Sequence, residues 1–158
     1  MASTLNHGIV IQTADRDGDV TRRESLAAAA ITPGELLQFD SATTVNAHSV
    51  VAGVLQGKIV ALETQTPDDE TNPTIDVDYD AADTVYYVEA RPGDILNMWL
   101  AAGETTVMNP PSQLQSDAAG ALAVVAVGAG TLANSIVGVA DEALVAGVAR
   151  ARCRVRIV

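Results

Sequence analysis

Short β-prone runs, each closed by a turn signal, recur along almost the whole chain and leave little room for another architecture. GIVIQT (8–13), VVAGVL (50–55), KIVALET (58–64), TIDVDY (74–79), DTVYYVEA (83–90), DILNMWLA (94–101), ALAVVAV (121–127), NSIVGVA (134–140) and RCRVRIV (152–158) are separated by clusters of Gly, Pro, Asn and Asp. Repeats of this kind, at intervals of about ten residues, belong to a β-sandwich or barrel. No long helical period competes; DEALVAGVA (141–149) is the best helix candidate and reads equally as a short turn. The expectation is an all-β fold, a compact β-barrel, with a jelly-roll sandwich as the alternative.

TPGELLQF (32–39) and RPGDILNMW (91–99) share a Pro-Gly-acid-aliphatic-Leu core. Pro33 and Pro92 fix φ at the second residue of a turn, and Gly34 and Gly93 supply the positive φ that a type II turn needs at its third. Each turn then launches a strand. SVVAGV (49–54) and SIVGVA (135–140) follow at different distances, and the two pairs together suggest related halves of one barrel.

The 158 residues are enough for one domain with a real core. Hydrophobic residues make up 48% of the chain but aromatics only 3%, so that core is built from Val, Ile, Leu and Ala, and oligomerisation is a natural further source of stability. A net charge of −11 opposes binding to nucleic acid or to anionic membranes. Lys58 is the only lysine, a balance shared by halophilic proteins and by ordinary acidic ones. Cys153 is the only cysteine, which rules out an internal disulfide and leaves a small core residue. The N-terminal MASTLNHGIVIQTADRDGD has neither the basic start nor the apolar run of a signal peptide, so no Sec-type export is expected. In AAGALAVVAVGAGTLANSIVGVA (118–140), Asn134 and Ser135 interrupt the apolar run before it reaches the length of a membrane span.

After GIVIQT the chain turns to charge in ADRDGDVTRRES, so residues 1–24 read as an extended N-terminal arm or a hairpin loop and 25–158 as the barrel-like body. TQTPDDETNPT (64–74) reads as an exposed acidic loop. DRDGD with Glu24 fails the EF-hand spacing, because Val20 stands where the sharp turn needs Gly. Asp76, Asp78 and Asp80 alternate with Ile75, Val77 and Tyr79, which on a strand puts three carboxylates on one wet face or around a cation. His7, His48 and Cys153 have no metal-ligand spacing, and no nucleophile elbow, phosphate loop or dinucleotide fingerprint is present. No catalytic residue, metal or cofactor is expected.

ARARCRVRIV closes the chain with Arg150, Arg152, Arg154 and Arg156 at period two, opposite Ala151, Cys153, Val155 and Ile157. Two readings stand side by side. The arginines either pair with acidic neighbours of the same subunit, or meet carboxylates across a subunit or partner interface, where bidentate pairing favours Arg over Lys.

From 74 to 158 the order of features resembles the head decoration, or cement, proteins of tailed viruses. The likeness runs through the acidic DYDAAD before the aromatic strand, RPGDILNMWLAAGETTV, the QLQSDAAGAL hairpin, SIVGVADEA and the closing RCRVRIV, and extends back through ITPGELLQFDS and VVAGVL. It implies a compact β-barrel or β-tulip-like domain, often a homotrimer, made in the host cytoplasm and seated on the outside of an icosahedral capsid. There it would bridge subunits of the major capsid protein and stabilise the expanded shell. By the same resemblance the N-terminal arm latches onto the capsid; the residues expected at a capsid or subunit interface are Ile9, Val10 and Ile11 in the arm and the Arg150, Arg152, Arg154 and Arg156 row. Trp99 is either core or a subunit-interface anchor. Removing residues 1–14 is then expected to leave a folded trimer with a weakened hold on the capsid. The alternative function, a small β-sandwich carbohydrate- or ligand-binding module, would need exposed aromatics for stacking, and the chain has one Trp, one Phe and three Tyr.

Overall fold

Alternation along short strands sets the architecture. A computed structural model describes residues 8–12, 22–50, 55, 57–64, 74–126 and 135–158. Its strands are β1 (Val10–Gln12), β2 (Arg22–Ala27), β3 (Leu36–Phe39), β4 (Thr44–Ala47), β5 (Ile59–Ala61), β6 (Thr84–Glu89), β7 (Ile95–Leu100), β8 (Thr105–Thr106), β9 (Gln113–Ser116), β10 (Leu122–Val124), β11 (Ile136–Ala140), β12 (Leu144–Val145) and β13 (Ala151–Ile157). The all-β expectation is met, and the barrel is present twice. β2-β4-β3-β5-β6 close one ring. β7, β10, β9, β11 and β13 close a second, because β13 pairs back onto β7.

The two rings have the same topology and register. In each, the first strand runs parallel to the third and every other pairing is antiparallel. Leu37, Gln38 and Phe39 face Ala47, Asn46 and Val45 in the first hairpin, as Leu114, Gln115 and Ser116 face Val124, Ala123 and Leu122 in the second. Ala27 opposite Val45 is matched by Leu100 opposite Leu122, and Val60 opposite Val88 by Val139 opposite Arg156. Even the capping contact recurs: an isolated bridge between Ile31 and Tyr79 in the first ring holds the place of the β8–β12 ribbon in the second. The chain is thus a tandem pair of barrels rather than two halves of one.

This duplication is out of phase with the Pro-Gly repeat. Pro33-Gly34 precedes the second strand of its ring and Pro92-Gly93 the first of its own. What repeats there is a turn. Gly34 (φ 90°) and Gly93 (φ 95°) take the positive φ expected, and Glu35 N–H and Asp94 N–H donate back to Thr32 and Arg91 carbonyls at 3.1 and 3.0 Å. The acid then returns its carboxylate to the start of the turn, accepting from Thr32 N–H (3.0 Å) and Arg91 N–H (2.8 Å). That double closure explains why an acid follows each Pro-Gly and why Glu35 and Asp94 are buried. Asp80–Asp83 uses the same device without Pro or Gly: Asp80 N–H donates to Asp83 Oδ2 at 2.8 Å, and Ala82 takes φ 72°. A Cβ at that φ costs about 1 kcal/mol. Ala82→Gly is therefore expected to raise the unfolding free energy by roughly 0.5 kcal/mol after the entropic cost of glycine, measured by urea denaturation; a loss of stability would show that the turn does not carry that strain.

Ala27, Ile31, Leu37, Val45, Ile59, Ala61, Tyr79, Val85 and Tyr87 fill the first barrel. The larger cluster joins the second barrel's interior, including Met98, Leu100, Leu114, Leu122, Cys153 and Val155, to Ile9, Leu36, Val60 and Val88 at the seam between the rings. Several expectations shift. TIDVDY is a short 3-10 turn over Thr74–Asp76 followed by the Tyr79 bridge, so Asp76, Asp78 and Asp80 are exposed but do not form a strand face. DEALVAGVA contains β12 and turns, not a helix. Arg22, Arg23 and Glu24, assigned to the arm, begin β2, while Val10–Gln12 pairs with β7 of the body. Residues 1–7, 13–21, most of VVAGVL and most of the acidic 64–74 loop lie outside the described residues. No described helix is long and apolar enough to cross a membrane.

Candidate functional site

The polar chemistry of the molecule concentrates where the barrels meet. Two glycines allow the approach: a Cβ on Gly34 would lie 2.7 Å from Arg152 Nη1 and 2.9 Å from the Asn97 carbonyl, and one on Gly120 would lie 2.8 Å from Glu35 Cβ. Across this contact Trp99 Nε1 donates to the Pro33 carbonyl at 3.0 Å, and Arg152 Nη1 donates to the same oxygen at 2.9 Å. Arg152 Nη2 reaches the Ile75 carbonyl at 2.5 Å and Asp76 Oδ1 at 3.3 Å. Arg150 pairs with the buried Glu35 at 2.5 Å and donates to Thr32 Oγ1 at 2.8 Å. Both guanidiniums lie over the Trp99 ring, at 4.5 Å for Arg150 and 4.2 Å for Arg152.

The period-two arginine row therefore divides. Arg150 and Arg152 join the second barrel to the first. Arg154 and Arg156 pair with Glu142 (3.4 Å) and Asp141 (2.7 Å) on the same barrel. All four bond within the chain, as the same-subunit reading expects, and the exposed outer pairs contribute at most about 1 kcal/mol each. Trp99 sits at an interface between barrels of one chain. Ile9 is fully buried, Val10 is half-buried in β1, and the Ile11 side chain lies outside the described residues.

A second seam contact joins His48, after β4, to Ser116 of β9. The Ser116 hydroxyl lies 2.6 Å from His48 Nδ1 and donates to the Val50 carbonyl at 2.9 Å, while Gly120 N–H donates to the His48 carbonyl at 3.0 Å. Burial pushes the imidazole below its ordinary value of 6.5. The unfolded chain takes up this proton at the ordinary value and the folded chain only at lower pH, so the contribution is complete above about 6.5 and is lost as pH falls through the folded value. Urea unfolding at pH 7.5 and 5.5 is expected to show a loss of stability on acidification that His48→Gln reduces; an equal pH dependence in the variant would exclude His48 as its source.

Sequence reasoning missed one surface. On and beside the β8–β12 ribbon, Val107, Met108, Val145 and Val148 are exposed, with Pro110 and Pro111 next to them. Its signal was the absence of charge from VMNPP and ALVAGVA in a chain otherwise rich in acids. Among the described residues no three His, Cys, Asp or Glu side chains converge as a metal site. Cys153 is buried, with its thiol pushed up to about 11 by desolvation, and so has the character of a core residue.

No family model and no curated protein sequence matches the chain. Among solved structures it resembles the N base of the head fiber gp8.5 of bacteriophage phi29, with a TM-score of 0.55 and 12% sequence identity, over 89% of this chain and 95% of that one. The likeness is one of fold and takes in nearly the whole of both chains.

Proposed function

We propose that the chain is a structural protein of a tailed-virus particle, carried on the outside of the capsid, where it bridges subunits of the major capsid protein and stabilises the shell. The observation that carries this reading is the fold it shares, almost end to end, with the base of a phage head fiber. The sequence resemblance to head decoration proteins points the same way from independent features. The chain's chemistry agrees with mechanical work: Arg150, Arg152 and the one tryptophan tie the two barrels together. The exposed Val145 and Val148, in a segment of the ribbon without charged residues, are the part best suited to burial against another protein. In a homotrimer, three modest contacts of this kind hold where one would exchange quickly.

The carbohydrate-binding alternative has less support. Tyr79 and Tyr87 are buried, and the Trp99 ring is engaged by two guanidiniums rather than presented for stacking.

The test is to band virus particles from the source culture on a density gradient and follow this chain with an antibody. Co-migration at on the order of hundreds of copies per particle, as repeated contacts on a symmetric shell require, is the expected result. Recovery only from soluble fractions, beside complete particles, would overturn the reading.

A further inference from the structure

The two barrels differ at one equivalent place, and the difference describes a binding slot. In the second barrel β10 pairs with β7 only at Leu100. The rest of that β7 edge is taken by the N-terminal strand: Val10 faces Leu96, Gln12 faces Ile95, and Asn97 N–H donates to the Ile9 carbonyl at 2.7 Å. In the first barrel β4 likewise pairs with β2 only at Leu26 and Ala27. By the shared register, Glu24 stands where Asn97 stands and Arg22 where Ile95 stands.

Backbone directions follow from the pairing. Leu26 N–H donates toward the β3–β4 turn, to the Thr43 carbonyl at 3.2 Å, and Ala27 N–H donates toward β6, to the Asp83 carbonyl at 2.9 Å. Amide direction alternates along a strand, so the N–H and C=O of Arg22 and Glu24 point to the same side as those of Leu26, away from β6. Among the described residues nothing bonds to them there. An unpaired edge of this kind is a template for strand addition.

We propose that this edge is a slot that accepts an extended, acid-bearing segment of the shell's coat protein, laid antiparallel to β2 as β1 is laid on β7. The inference rests on the capsid reading above for the identity of the partner. Among the described residues the chain has one such N-terminal strand, already used in its own second barrel, so a second copy could supply that strand here only by emptying that site. The acid preference comes from Arg22. Arg23 is already paired with Glu89, whereas the exposed Arg22 guanidinium lies 5.7 Å from the Tyr86 ring, forms no ion pair among the described residues, and can meet a carboxylate on the incoming strand.

The experiment is hydrogen exchange by mass spectrometry on the whole chain, free and bound to particles from the source culture, with affinity measured for the wild type and for Glu24→Pro. The substitution removes one of the two amides that face the slot while keeping every bond to β6. In the free chain the Arg22 and Glu24 amides are expected to exchange freely while the Leu26 amide is protected. On the particle both slow by about tenfold or more, and Glu24→Pro, folded by circular dichroism, binds about tenfold more weakly. Unchanged exchange at Arg22 and Glu24 in particle-bound wild type overturns the slot, as does their protection in the free chain or wild-type affinity in folded Glu24→Pro. If Glu24→Pro does not fold, the wild-type exchange decides alone. A wild-type chain that does not bind particles at all removes the coat-protein partner together with the capsid reading, a result separate from bound chain with an unprotected edge.

Discussion

Trp99→Ala is expected to lower the unfolding free energy by about 3 kcal/mol, near the low end for loss of a large aromatic from a packed site because the ring is only half-buried. Three effects combine. The variant loses the ring's packing area, the Nε1–H bond to the Pro33 carbonyl and the attraction of two guanidiniums. The hydrogen bond contributes about 1 kcal/mol net and each cation–π contact roughly 0.5–1 kcal/mol; packing is the larger share. Trp99→Phe, which keeps a ring and loses the donor, is accordingly expected to cost only about 1 kcal/mol. The shape of the transition tests the location as well as the size. Trp99 bridges the barrels, so urea unfolding of the alanine variant, followed by both circular dichroism and tyrosine fluorescence, is expected to separate the probes as the second barrel loosens from the first. A wild-type midpoint with coincident transitions would mean that the seam is held elsewhere.

The parts of the fold that were legible in sequence are those where alternation runs long enough to declare a face. Val85 and Tyr87 in β6, Met98 and Leu100 in β7, and Cys153, Val155 and Ile157 in β13 are buried at period two and are readable as such. β2 was not. Its RRESLA begins at the barrel's end, where Arg23 and Glu89 form an ion pair in the place that Leu96 and Ile157 hold in the second barrel, and only Ala27 is fully buried. β4 and β9 were quiet for a similar reason, since TVNA offers one buried apolar residue, Val45, and QLQS one, Leu114. The duplication was visible only in part. The Pro-Gly turns are conspicuous because their chemistry is local, but that same chemistry serves Asp80–Asp83, at a third, unrelated position. The true counterparts, LQFD and LQSD, are short and unremarkable until their registers are compared. The arginine face was readable from spacing; its division was not, because Glu35 and Asp76 reach Arg150 and Arg152 from the other barrel.

Ile9 changes what truncation of the N-terminus can mean. As a free arm, residues 1–14 would be removable with loss of capsid binding alone. In the structure Ile9 is fully buried in the cluster that joins the barrels, its amide donates to Glu63 Oε2 at 3.3 Å, and its carbonyl accepts from Asn97 N–H. Ile9→Ala, which leaves the strand in place, is expected to cost about 3 kcal/mol, within the range for a buried isoleucine cut back to alanine. Removing residues 1–14 deletes the same side chain, exposes the β7 edge and leaves the Asn97 amide without its acceptor, so its cost is expected to exceed that of the point substitution. Thermal unfolding of the wild type, Ile9→Ala and the truncated chain should fall in that order. Weakened particle binding by the truncated chain then follows from a loosened second barrel as readily as from a lost contact. The discriminating comparison is Ile9→Ala studied well below its melting temperature: normal binding there with poor binding by the truncation assigns a contact to the N-terminal segment, and poor binding by both assigns the effect to the barrel it completes. A truncated chain as stable as the wild type would remove β1 from the fold's energetics altogether.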